Sequence, residues 1–215
     1  MTLKITHKRT QQMNNMLSGL YGISDTNLTP KERICVQVQE AIKGGMKIFQ
    51  FRDKISDDND IIEIIYQLMD ICAKANVLFV LNDRVTLAIR LKCPALHIGK
   101  NDGDIDTIRK NFKGILGVSS YGDLARAKKM EEKGVDYVAF GPIFPSPTKP
   151  NVQCIGTDIL LQAREALHIP ICAIGGISNN NIKLLKNADM FAVISSLWNE
   201  NIYQNARNLC KNAIF

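Results

Sequence analysis

The chain has no apolar run near the ~18 residues of a membrane-spanning helix, and no apolar signal core near its start. A soluble, cytoplasmic protein that spans no membrane is therefore expected. There is no CxxC pair either. The six cysteines (Cys35, Cys72, Cys93, Cys154, Cys172, Cys210) are scattered without metal-ligand spacing, several inside apolar runs. That pattern argues against a disulfide framework and for reduced, buried thiols. Internal repeats and low-complexity segments are absent. The net charge of +6 would suit nucleic acid, anionic lipid or phosphorylated small molecules. Its N-terminal cluster (Lys4, His7, Lys8, Arg9) lacks the interleaved aromatics of a nucleic-acid platform, so no nucleic-acid partner is expected.

What is present suits one large core. With 215 residues, 46% of them hydrophobic and 22% charged, the chain sits at the lower end of what one α/β barrel needs and is too short for two comfortable domains. After residue 17, short β-branched or aromatic runs alternate with longer amphipathic stretches. Eight strands are expected, at 20–24, 47–51, 78–81, 95–98, 115–118, 137–140, 171–174 and 191–194. Helices are expected at 30–43, 60–75, 83–91, 104–112, 123–133, 158–167, 181–186 and 204–213. Eight regular units with short connections predict parallel strands, and closure is favoured over an open sheet. The fold class is α/β: a single (β/α)8 TIM barrel over 18–215, with an N-terminal extension over 1–17 for which an extra helix is one reading. The longest expected loop, 141–157, carries Pro142, Pro145, Pro147 and Pro150, and loops of that length are usually functional.

In such barrels the chemistry gathers where strands end. Those positions supply the cations Arg52, Lys54 and Lys149, the carboxylates Asp83 and Asp102, and the hydroxyls Ser119, Ser146 and Thr148. Two carboxylates after adjacent strands could share Mg²⁺, which commonly fills its remaining sites with water and phosphate oxygens. With the cations they describe a diphosphate–Mg²⁺ pocket. Gly175 and Gly176 after the seventh strand and Ser195 after the eighth match the usual metal-free phosphate site of a barrel. Two phosphate pockets imply two phosphorylated substrates and a transferase. Each residue also has a plainer reading. Asp83 or Asp102 could cap a helix, Arg52 could pair with Asp53, and Lys54 and Lys149 could be solvated. Gly175-Gly176 could be only a turn, and His97 a packed histidine that nothing marks as a base. Their joint position at one end of the barrel outweighs these.

Eight ordered motifs carry a family resemblance: YGISD (21–25), QFRDK (50–54), NDR (82–84), HIGKND (97–102), GVSS (117–120), FGPIFPSPTK (140–149), AIGGI (173–177) and AVISS (192–196). Together they resemble the thiamine phosphate synthase family over nearly the whole chain. The resemblance implies a transferase that joins a pyrimidine diphosphate to a thiazole phosphate, with Mg²⁺ as cofactor. Gln50, Arg52, Lys54, Asn82, Ser119 and Lys149 then form the pyrimidine diphosphate pocket, with Arg52, Lys54 and Lys149 as candidate catalytic cations. Asp83 and Asp102 are the implied metal ligands, and Ser146, Thr148, Gly176, Ile194 and Ser195 the implied thiazole phosphate site. Departures from the pattern are Lys100, where the family often has Gln, and Tyr121, where it often has His. The related thiazole tautomerases are thought to use a His at the latter position, so Tyr121 argues against an isomerase. A non-catalytic barrel that binds a phosphorylated ligand is the alternative from another class. Homo-oligomerisation is left open by the sequence.

Overall fold

Period-two alternation in short β-rich runs sends one set of side chains into a barrel and the other toward covering helices. The computed structural model describes residues 16–146 and 152–213. Eight strands, β1 (Gly19–Ile23), β2 (Ile48–Phe51), β3 (Leu78–Asn82), β4 (Ala95–Ile98), β5 (Ile115–Tyr121), β6 (Tyr137–Phe140), β7 (Ile171–Ile174) and β8 (Met190–Val193), close a barrel in sequence order. Every neighbouring pair is parallel, β1 with β8 included. The expected single TIM barrel is what forms. The N-terminal extension expected over 1–17 lies, up to residue 15, outside the described residues.

Among the described residues six α-helices connect strands, α1 (Ile34–Lys43), α2 (Ile62–Lys74), α3 (Val85–Arg90), α4 (Ile105–Asn111), α5 (Leu124–Glu132) and α6 (Asp158–Ala166), and α7 (Ile202–Asn212) follows β8. The carboxylates of Asp104 and Asp123 accept from the backbone N–H groups of Thr107 and Arg126, so these two acids act as N-caps of α4 and α5. Two expected helices differ in form. The stretch expected to begin at 60 opens as a 3₁₀ turn at Asp58–Ile61, and the one expected at 181–186 is only the 3₁₀ turn Ile182–Leu184. The latter turn is closed by three-residue bonds, from the Leu184 N–H to the Asn181 carbonyl at 2.9 Å and from the Leu185 N–H to the Ile182 carbonyl at 3.1 Å. Here Ile182 and Leu185 anchor the segment to the core.

Two apolar layers result. Tyr21, Ile48, Val80, Tyr137, Cys172 and Met190 fill the barrel interior, while Phe49, Phe79, Leu96, Val118 and Phe140 pack outward against the helices. Full burial of each large side chain is worth ~1.5–3 kcal/mol. Gly117 makes room inside: a Cβ there would meet the Tyr137 ring at 1.9 Å. All six cysteines are unpaired, with Cys72, Cys93 and Cys172 buried and the other three half-buried rather than enclosed. At the amino ends of the strands, Asp136 pairs with Arg109 at 3.0 Å, and Asp189 pairs with Arg164 at 2.5 Å and accepts from the Ile171 N–H at 2.7 Å. Those acids hold the barrel floor, away from the mouth. No helix among the described residues is long and apolar enough to cross a membrane.

Candidate active site at the carboxyl ends of the strands

Strand register decides which side chains reach the mouth. Gln50, Asn82, His97 and Ser119 occupy inward positions near the carboxyl ends of β2, β3, β4 and β5, and the residues that follow them line the rim. Asp83 comes directly after β3 with φ 61°, a left-handed conformation that Asp tolerates better than most side chains. Its N–H donates to the His97 carbonyl at 2.8 Å and its carbonyl accepts from Val85, which delays α3 to Val85.

Two carboxyl groups are neighbours here. That of Asp83 lies close enough to act on the charge of Asp102. Burial raises the Asp102 pKa, and the neighbouring Asp83 charge raises it further, against the Gly99 N–H that donates to Oδ2 at 2.5 Å. Lys54 Nζ stands 3.1 Å from Asp83 Oδ2. Crowded carboxylates partly compensated by one ammonium form a hard-oxygen donor set that suits a cation such as Mg²⁺. No group of three or more His, Cys, Asp or Glu comes together among the described residues, so an ion here would take its other ligands from water and substrate.

The loop that carries Lys54 is tied down from two sides. Asp53 folds it locally, accepting from the N–H groups of Ile55 and Ser56 at 2.8 and 2.9 Å and from the Ser56 hydroxyl at 2.8 Å. Arg84, next in sequence to Asp83, donates to the carbonyls of Asp53 at 2.7 Å and Ser56 at 2.6 Å and pairs with Asp58. Arg52 is held through its backbone: its N–H donates to Ser24 Oγ at 2.7 Å, and that buried hydroxyl donates to the Arg52 carbonyl at 3.2 Å. The plain reading of Asp53 as the ion-pair partner of Arg52 thus gives way to a turn-forming carboxylate. Ser24 and Arg84 were not singled out from sequence, because their partners are backbone atoms distant along the chain.

His97 is buried and sits between two hydroxyls, with Nδ1 2.9 Å from Tyr137 Oη and Nε2 2.9 Å from Ser119 Oγ. Burial pushes its pKa down to about 4, against the opposing charge of Asp102, so the ring is neutral near pH 7. Tyr121, at the end of β5, has φ 56°, unusual for an aromatic residue, and its hydroxyl would lie 3.4 Å from a Cβ placed on Gly99. Lys100 lines an open groove between α4 and α5 with Arg126 and Lys129, at the edge of the mouth.

Across the rim, Gly175 and Gly176 both have positive φ, 99° and 63°. A Cβ on Gly176 would meet the Pro145 carbonyl oxygen at 2.3 Å, because the β6 loop crosses directly over this turn. Phe144 N–H donates to the Gly175 carbonyl at 3.1 Å and Ile143 N–H to the Ile174 carbonyl at 2.9 Å, so the loops after β6 and β7 are joined through their backbones. Ile194 and Ser195 follow β8 in a turn closed by the Leu197 N–H on the Ile194 carbonyl at 3.0 Å. Ser146, half-buried, ends the described part of the β6 loop. Thr148 and Lys149 lie outside the described residues.

Comparison with known proteins shows the family. The family model described as thiamine monophosphate synthase matches residues 20–197. The chain belongs to the thiamine monophosphate synthase family. Among members with that function in their names, the thiamine-phosphate synthase of Wolinella succinogenes is 45% identical over 194 residues, covering 89% of this chain and 91% of the relative. That of Acidithiobacillus ferrooxidans is 38% identical over 192 residues, covering 86% and 88%. The solved structure of thiamine phosphate pyrophosphorylase from Pyrococcus furiosus superposes with a TM-score of 0.83 at 31% identity, covering 93% of this chain and 96% of that one.

Proposed function

We propose that the chain is a Mg²⁺-dependent thiamine phosphate synthase. It would condense 4-amino-2-methyl-5-(diphosphooxymethyl)pyrimidine with 4-methyl-5-(2-phosphooxyethyl)thiazole to give thiamine phosphate and diphosphate, or with the carboxylated form of that thiazole to give the same two products and CO2. The observation that carries this reading is the pairing of Lys54 with Asp83, beside Asp102, at the barrel mouth in a chain of this family.

In this reading Asp83 and Asp102 would hold Mg²⁺, which when bound supplies positive charge to the diphosphate oxygens. Arg52, Lys54 and Lys149 offset the charge that grows on the departing diphosphate, an electrostatic contribution aimed at the transition state. The C–O bond to the pyrimidine methylene breaks with its electron pair leaving on the diphosphate. The aminopyrimidine ring delocalises the positive charge left on carbon, and the thiazole nitrogen lone pair forms the new C–N bond. That bond-forming step obliges no residue to act as acid or base. Gln50, Asn82 and Ser119 orient the pyrimidine, while Ser146, Thr148, Gly176, Ile194 and Ser195 hold the thiazole phosphate, so most of the remaining catalysis is positioning. The proposed setting is the cytoplasm, where both small phosphorylated substrates would be met in solution.

The test is incubation of the purified chain with both substrates and Mg²⁺, following thiamine phosphate and diphosphate together. Equal release of the two products is expected. An isomerase would release no diphosphate, and a ligand-sensing barrel would bind without turnover.

A further inference from the structure

Five polar side chains form an unbroken hydrogen-bonded line through the barrel, and the proposed reaction uses only the two at its ends. Gln50 Nε2 donates to Tyr21 Oη at 2.6 Å, Tyr21 Oη is 2.9 Å from Tyr137 Oη, and Tyr137 Oη is 2.9 Å from His97 Nδ1. His97 Nε2 then meets Ser119 Oγ at 2.9 Å. Tyr21 and Tyr137 are 1% and 0% exposed and His97 is 9% exposed, so water has little access to stand in for a missing partner. A closed polar line of this kind is demanding to keep inside an apolar barrel.

Counting protons gives the line a direction. An amide nitrogen only donates, so Tyr21 accepts from Gln50 and sends its own proton to Tyr137. Tyr137 then donates to His97 Nδ1. A neutral imidazole that accepts at Nδ1 carries its proton on Nε2 and donates it to Ser119. The hydroxyl proton of Ser119 is thereby turned away from His97. At the far end, the bond to Tyr21 uses one of the two amide N–H groups of Gln50 and fixes which way its amide oxygen, the acceptor of the pair, is turned. Ser119 is itself fixed, because its carbonyl accepts from Arg126 Nε at 3.1 Å where β5 bulges between Ser119 and Tyr121.

We infer that Tyr21, Tyr137 and His97 are positioning residues that set this proton direction, so that Ser119 presents a donor and Gln50 an acceptor to an amino-substituted nitrogen heterocycle. The inference rests on the proposal that Gln50 and Ser119 line the pyrimidine pocket. An aminopyrimidine offers a ring nitrogen that accepts beside an amino group that donates, which complements that pair. The oxo counterpart presents a ring N–H beside a carbonyl, which is the reverse pattern. It would fit only the opposite ordering, with the proton of His97 on Nδ1 and Ser119 acting as acceptor.

The ordering can be read directly from the ¹⁵N resonances of His97 in the full chain, assigned by their loss in His97→Gln. The Nε2–H tautomer is expected, and an Nδ1–H tautomer overturns the inference. Calorimetric binding of the aminopyrimidine diphosphate and of its 4-oxo counterpart tests the consequence. The wild-type protein should favour the amino form by about 10²-fold or more, as expected of a site built to hydrogen-bond its ligand. Tyr137→Phe and Tyr21→Phe, each removing one hydroxyl at nearly constant volume, should narrow that ratio at least tenfold while melting cooperatively. An unchanged ratio in either folded variant, or no preference in the wild type, refutes it. Binding with the expected preference but without formation of thiamine phosphate would sink the proposed reaction and leave this inference standing.

Discussion

Arg84→Ala isolates the part of the site that no ligand needs to touch. The side chain is 19% exposed and ties the Lys54 loop through two backbone carbonyls and the 46% exposed Asp58. A charged donor to a carbonyl is worth ~1.5–3 kcal/mol, nearer the lower figure with this much solvent, and the exposed ion pair adds ~0–1 kcal/mol. The loop thus loses ~3–4 kcal/mol of ordering energy, which at ~1.4 kcal/mol per decade sets an upper bound of ~10²- to 10³-fold, reached only if all of it bears on the transition state. A fall of ~10- to 100-fold in kcat/KM is expected, measured by diphosphate release under saturating Mg²⁺. If Arg84 works by holding Lys54 at Asp83, the Arg84→Ala/Lys54→Ala double variant should be no worse than Lys54→Ala alone, within ~0.5 kcal/mol. Losses that simply add, or a single variant with wild-type activity, would refute the reasoning.

Asp83→Ala removes one of the two carboxylates and leaves the Lys54 ammonium without its partner. A loss of several kcal/mol of transition-state stabilisation, roughly 10³-fold in turnover at saturating Mg²⁺, is expected from a steady-state assay. Gly176→Ala places a Cβ 2.3 Å from the Pro145 carbonyl oxygen at φ 63°. It should destabilise the fold by ~1–3 kcal/mol and raise KM for the thiazole phosphate more than for the pyrimidine, as read by urea unfolding and two-substrate kinetics. The His97 pKa of about 4 lies below the unfolded value of 6.5, so above pH 6.5 neither state binds this proton and the group leaves stability unchanged. As pH falls from 6.5 toward 4, only the unfolded chain takes up the proton, and stability drops by ~3 kcal/mol. Neither contacting hydroxyl, on Tyr137 or Ser119, can offset this, and Asp102 supplies the opposing charge. Urea midpoints should fall across that window, and the fall should shrink in His97→Gln.

The barrel could be read in advance because its strands state their own period. Runs such as Ile48-Phe49-Gln50-Phe51 send Phe49 and Phe51 outward and Ile48 and Gln50 inward, and eight such runs leave few ways to close a sheet. The segment after β7 was harder, since Ile182 and Leu185 read as a helix face yet only anchor a single turn. Asp83, Asp102 and Lys54 are visible as residues at strand ends, but the pairing of Asp83 with Lys54 depends on the left-handed backbone of Asp83, which no spacing encodes. Ser24 and Arg84 act on carbonyl and amide groups, and a sequence carries no pattern for such partners. Tyr21 and Tyr137 left a faint signal: polar tips at inward positions of otherwise apolar strands, with Gly117 making space for one ring.

Divalent-ion binding at the mouth tests the central claim most directly. Mn²⁺ titrated against the full chain in the presence of diphosphate, and followed by electron paramagnetic resonance, should show one tight ion per chain. That ion should be displaced by Mg²⁺ and weakened at least ~100-fold when Asp83 and Asp102 are both replaced by Ala. Unchanged tight binding in the doubly substituted chain, with its fold intact by circular dichroism, would contradict the assignment of these two carboxylates as the cation site.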